Sequence, residues 1–120
     1  MQTELRILMA TRFEAFAVVE AEARSRAKKT WVGPEGSGEM PPARLLVMTR
    51  ERKGYGLYGF TGAGEFSGDT WHRRKDEALK QARWEYGDKI GPWRSMDNKS
   101  GDFHQVVREL VEALVAAGEI

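Results

Sequence analysis

The residue types that can do chemistry gather in the middle of the chain. Ser67, Asp69 and His72 are the types of a nucleophilic triad, and His72-Arg73-Arg74-Lys75 is a short basic run. Triads are assembled in space from separate segments, so three such residues this close in sequence do not make one. Asp69 or Thr70 reads instead as a turn or helix lead-in. Gly54-Tyr55-Gly56-Leu57-Tyr58-Gly59 satisfies the dinucleotide pattern GxGxxG. That pattern has meaning only between a strand and a helix. Here the Tyr-Leu-Tyr alternation puts the glycines inside a strand, where they make room for close packing of a neighbour. With no cysteine, a disulfide scaffold, a thiol nucleophile and a cysteine-ligated metal are excluded. Two histidines without an acidic pair beside them do not suggest a metal site. No catalytic residue, metal ligand or cofactor is assigned, and the balance leans away from an enzyme.

The basic run is the strongest binding candidate. It falls just before, or in, the first turn of a helix reaching Tyr86, where free backbone N–H groups and arginine forks suit an anion. Lys80 and Arg83 extend the basic face along that helix. Trp84 lies roughly 140° from Leu79, the centre of the expected buried face, at about 100° per residue. Trp71 and Trp93 flank the helix, and tryptophan beside arginine is the composition of an interaction hot spot. The candidate binding set is therefore Trp71, His72, Arg73, Arg74, Lys75, Lys80, Arg83 and Trp84. The competing expectations are that the arginines pair with Asp69, Asp76 or Glu77, and that an irregular segment over 88–100 folds back over Trp84.

These residues must be held by elements that periodicity outlines. Leu5, Ile7 and Met9 suit a short first strand. Thr11-x-x-Glu14 matches a capping box, and Phe16, Val19, Ala23 and Ala27 recur at helical spacing. A helix is therefore expected from about Arg12 to Lys28, supported by Glu20–Arg24 and Glu22–Arg26 pairs. Its rival is a long strand, because Phe13, Ala15, Ala17 and Val19 also alternate; alanine's propensities favour the helix. Residues 33–42, rich in glycine and proline, read as a flexible loop. Strands are expected over Ala43–Arg50 and Tyr55–Thr61 as a hairpin, with a short third strand over Glu65–Thr70. Helices follow over Asp76–Tyr86, stopped by Gly87, and after the N-cap Asp102, with Phe103, Val106, Val107, Leu110 and Leu114 as the core stripe. The whole predicts one α+β domain over residues 1–120: a small antiparallel sheet with two or three helices packed on one face.

The string Gly68-Asp69-Thr70-Trp71-His72, then a helix, Glu85-Tyr86-Gly87 and Trp93, resembles a string of small uncharacterised bacterial proteins. The resemblance implies a bacterial origin and a compact α+β module, and it carries no activity, ligand or catalytic residue.

The expected function is a small non-enzymatic protein-interaction module, a regulator or inhibitor of the immunity type, meeting an acidic protein surface. The alternative is nucleic-acid binding through Arg50, Arg52, Lys53, Arg73, Arg74 and Lys80 beside Tyr55, Tyr58 and Trp71. A net charge of +1 argues against it. A small enzyme centred on His72 comes third. The run Leu5–Ala10 is too short for a signal peptide and is interrupted by Arg6. No run approaches a membrane span, so a cytoplasmic protein that does not enter membranes is expected.

Overall fold

The computed structural model describes residues 10–120; the strand expected over Leu5–Met9 lies outside them. Its centre is a five-stranded antiparallel sheet of β1 (Thr11–Val18), β4 (Leu45–Glu51), β5 (Gly54–Phe60), β6 (Phe66–His72) and β7 (Arg94–Gly101), in the order β6-β5-β4-β1-β7. A separate hairpin pairs β2 (Thr30–Gly33) with β3 (Gly36–Glu39). The helices are α1 (Lys75–Tyr86) and α2 (Phe103–Ala116), with one 3₁₀ turn over Gly87–Lys89.

The fold is α+β, but the helices do not share a face. Leu45, Leu46, Val47 and Met48 are all buried in β4, and successive strand residues point to opposite faces. Leu45 and Val47 pack with Phe13 and Phe60 against Val106, Val107, Val111 and Leu114 of α2. Leu46, with Leu57 and Val19, packs against Ala82 and Tyr86 of α1. A strand covered on both sides reads as an unbroken apolar run, which is what β4 displays.

The helix expected over Arg12–Lys28 is a strand followed by irregular chain. Burial in β1 alternates at Phe13, Ala15 and Ala17, a period of two. Both edges of β1 are paired, to β4 and to β7, so the two ladders outweigh alanine's preference for helix. Register slips at Glu14 between Phe13 and Ala15. That bulge lets Phe13 and Phe16 both enter the α2-side core. Thr11 opens a strand rather than capping a helix. Neither expected Glu–Arg pair forms; Glu20 instead meets Lys89 at 3.6 Å.

Residues 33–42 are not a plain loop, since Gly36–Glu39 is strand β3. Trp31 faces Gly38 across the hairpin, and a Cβ at Gly38 would sit 3.0 Å from the indole nitrogen. The glycine read as a breaker is a seat for an aromatic ring. Within 88–100, read as irregular, Arg94–Gly101 forms the edge strand β7. Its polar sequence hides it: one sheet edge is open, and Met96 is the only large apolar residue in it. Asp97 and Asn98 take positive φ of 53° and 54° where β7 loops away from β1.

The last two helices start and stop as expected. Asp102 Oδ1 accepts from the Gln105 N–H at 3.0 Å, and Gly87 follows α1 at φ 60°. Within the stripes, Val111 and Ala78 are buried, whereas the expected Leu110 and Leu79 are only partly so.

Candidate functional site

Strand β6 carries the first of the sequence-predicted binding residues, and its pleat separates them. Gly56 pairs with Trp71 and Tyr55 with His72. Trp71 therefore lies on the α2 side of the sheet and His72 on the α1 side. A Cβ at Gly54 would run into the Trp71 ring and the His72 carbonyl. Gly56 likewise leaves the space taken by Glu51, Tyr58 and Thr49, and Gly59 that of Ser67. The GxGxxG glycines are packing seats. In the space over Gly56, Glu51 Oε2 accepts from the Tyr58 hydroxyl at 2.9 Å and from the Thr49 hydroxyl at 3.1 Å. Burial, then the Glu51 hydrogen bond and charge, pushes the Tyr58 phenol up to about 12.

The triad types do not converge. Asp69 pairs with Tyr58 on the α2 side, whereas Ser67 lies over Gly59 on the α1 side. His72 Nε2 shares a hydrogen bond of 2.8 Å with Thr70 Oγ1.

The basic run is largely engaged within the protein. Arg74 forks onto Asp76 through two bonds of 3.0 Å. Slight desolvation raises the Asp76 carboxyl, but the hydrogen bonds and charge of Arg74 outweigh it and hold the group below its ordinary value. Lys75 Nζ reaches Glu14 Oε1 at 3.0 Å; the other Glu14 oxygen is buried without a hydrogen-bond partner among the described residues. Arg73 alone of the three cations has no ion pair among the described residues. The helix entry is thus not an open nest of three cations.

The other half of the predicted set does assemble. Ala78, Ala82, Glu85 and Tyr86 form the buried face of α1, and at about 100° per residue Lys80 and Trp84 lie opposite it. Lys80, Arg83 and Trp84 are exposed, with Trp84 at 52%. Neither cation is ion-paired among the described residues. The segment after α1 does not fold over Trp84. Trp93 instead packs, half-buried, on the cluster containing Tyr86 and Ile90, and the chain then pairs with β1.

One group escaped sequence reasoning. Glu85 is 1% exposed, although it is a carboxylate on a helix. Its Oε1 accepts from the Ser25 hydroxyl at 2.6 Å and meets Lys29 Nζ at 3.0 Å; its Oε2 accepts from Gln81 Nε2 at 3.0 Å. Its backbone carbonyl accepts from the Arg26 N–H at 2.9 Å. The Ser25, Arg26 and Lys29 contacts tie residues 25–29 to α1, and a buried charge is tolerable only when paired and hydrogen-bonded in this way. The signal was present: Glu85 stands three and seven residues after Ala82 and Ala78, on the same face. Ser25 and Arg26 lie in the segment that helical spacing assigns to a helix over Arg12–Lys28, which hides them as partners. Gly68, at φ 119°, completes the arrangement, because a Cβ there would lie 2.5 Å from Lys29 Cδ. The glycine seats the lysine stem and aims the ammonium at Glu85. Burial, then the charge of Glu85, pushes the neighbouring Tyr86 phenol up to about 12.

Comparison with known proteins adds no relative: no family model matches the chain, and no curated protein or solved structure is significantly similar. No helix among the described residues is long and apolar enough to cross a membrane.

Proposed function

We propose that this chain is a small protein-interaction module without catalysis of its own, docking on an acidic surface of a partner protein through the outward face of α1. The observation that carries the reading is Trp84, half exposed on a regular helix and opposite its buried face. A large indole held at a fixed point delivers apolar contact at little conformational cost. Lys80 and Arg83 beside it, with Arg73 at the helix entry, supply unpaired positive charge that an acidic partner complements. A regulator or inhibitor of the immunity type is the finer form of the same reading. Nucleic-acid binding is less favoured, because Tyr55 and Tyr58 occupy opposite faces of β5 and Tyr58 is tied to Glu51. The rings do not line one stacking platform.

The test is capture of partners from the native host lysate after nuclease, with wild type, Trp84→Ala and Lys80→Glu/Arg83→Glu compared. The expected result is one stoichiometric protein whose affinity falls about 30-fold in Trp84→Ala, the roughly 2 kcal/mol of a hot spot. Folding stability should stay within about 0.5 kcal/mol, as for an exposed side chain. A captured protein bound equally by all three variants, or recovery abolished by nuclease, refutes the reading.

A further inference from the structure

A cavity of about 260 Å³ lies between residues 24–29 on one side and residues 39–43 on the other, with Ser67 and Tyr86 among its lining. It is on the inner side of the Glu85 arrangement and is distinct from the outward face of α1. Its walls differ in character. Met40, Pro41, Pro42 and Tyr86 form an apolar wall, whereas residues 24–29 bring four cations. Lys29 is cancelled by Glu85. Arg24, Arg26 and Lys28 are exposed and have no ion pair among the described residues, and Glu39 is the one acid in the lining.

We propose that this cavity binds a small organic anion, with a phosphate or carboxylate head on the cationic rim and an apolar body against the proline wall. Three arguments converge. First, Arg24, Arg26 and Lys28 crowd three positive charges, unpaired among the described residues, into five residues of a segment that bends at Arg26–Ala27. Such neighbours repel, and a bound anion relieves that repulsion. Second, the backbone that carries them is held before any ligand arrives. The Arg26 N–H is bound to Glu85, the Ala27 N–H to Ser25 Oγ at 3.0 Å, and the Lys29 carbonyl accepts from the Met40 N–H at 2.7 Å. Preorganisation of this kind lowers the entropic cost of binding. Third, Ser67 is 5% exposed and brings a hydroxyl-bearing side chain to the lining beside the apolar wall. A few polar groups in an apolar pocket are what orient a small ligand. The volume sits at or just below the lower end of ligand pockets, roughly 300 Å³, which favours a body of one ring or a short branched chain.

The test is a titration of isotope-labelled full chain followed by backbone amide signals. Phenyl phosphate and benzoate are the two head-group probes, and inorganic phosphate and benzyl alcohol test head and body alone. The expected result is saturable shifts with either aromatic anion below about 5 mM, confined to residues 24–29, 40–43 and 67. Whichever anion binds tighter identifies the head group. Affinity should fall about tenfold in Arg26→Ala/Lys28→Ala, which alters only exposed side chains, and it should weaken with added salt. It should be unchanged in Trp84→Ala, which separates this site from the proposed docking face. Saturable shifts that the Arg26→Ala/Lys28→Ala variant leaves intact overturn the proposal. So does binding of benzyl alcohol or inorganic phosphate as tight as that of the tighter aromatic anion, or the absence of saturation with any probe.

Discussion

The buried Glu85–Lys29 pair makes the sharpest demand on stability. In Glu85→Ala, the Lys29 ammonium loses its counter-charge, and the Ser25 hydroxyl and Gln81 amide lose their acceptor. Breaking a buried pair from one side costs about 3–5 kcal/mol. Lys29 keeps 19% side-chain exposure against 1% for Glu85, so the stranded ammonium regains some water and the lower end applies, about 3 kcal/mol. For a chain of this length that lowers Tm by roughly 10 °C. Lys29→Met strands the more buried partner and should cost more, about 4 kcal/mol. Glu85→Ala/Lys29→Met removes both charges together and should cost much less than the two single changes added. The assay is urea unfolding by circular dichroism, with equal slopes required before midpoints are compared. Exchange of the Arg26 and Ala27 amides gives a local readout, since both report on the tie between residues 25–29 and α1. A loss below about 1 kcal/mol in Glu85→Ala, or strict additivity in the double variant, would show that the pair is not coupled and that the reasoning fails.

Two further expectations concern β5 and its neighbours. Gly54→Ala places a methyl group against the His72 carbonyl and the Trp71 ring; backbone cannot yield as a flexible side chain does, so a loss of roughly 2–3 kcal/mol and a changed Trp71 environment are expected by denaturation and fluorescence. Unaltered stability in that variant would mean that the glycine is not a packing seat. The Tyr58 and Tyr86 phenols are both raised to about 12, so the fold favours their neutral forms. Their contribution is fully present below the unfolded phenol value of about 10 and is lost as pH rises from there toward 12. Up to roughly 2–3 kcal/mol is at stake for buried Tyr86, and less for the partly exposed Tyr58. Urea unfolding and tyrosinate absorbance across that window check it, and early ionisation of both phenols near 10 in the folded protein would contradict it.

Much of this protein is legible in local sequence. The β4–β5 hairpin, α1 and α2 follow from apolar periodicity and from caps whose chemistry is local: Asp102 at one helix start, Gly87 at one helix end. Helical geometry alone sets Trp84 roughly 140° from Leu79, but the sequence left open whether residues 88–100 cover it, and only the packing of Ala78 and Ala82 fixes the buried face. The unbroken Leu45–Met48 run already held the information that both faces of the sheet are covered.

The rest was decided by partners distant in sequence. Thr11–Val18 carries both helical and strand periods, and only the ladders to β4 and β7 choose between them. Polar β7 has no pattern of its own and exists as a strand because β1 offers an edge. The meaning of Gly38, Gly54 and Gly68 lies in the side chains that rest on them, Trp31, Trp71 and Lys29, and local entropy argues only that glycine breaks structure. Glu85 and the cationic cavity beside it arise where residues 24–29 cross the end of α1, sixty positions away for Ser25 and Glu85. Propensity and periodicity act over one or two turns of chain, whereas burial of a charge and the lining of a cavity are set by tertiary packing.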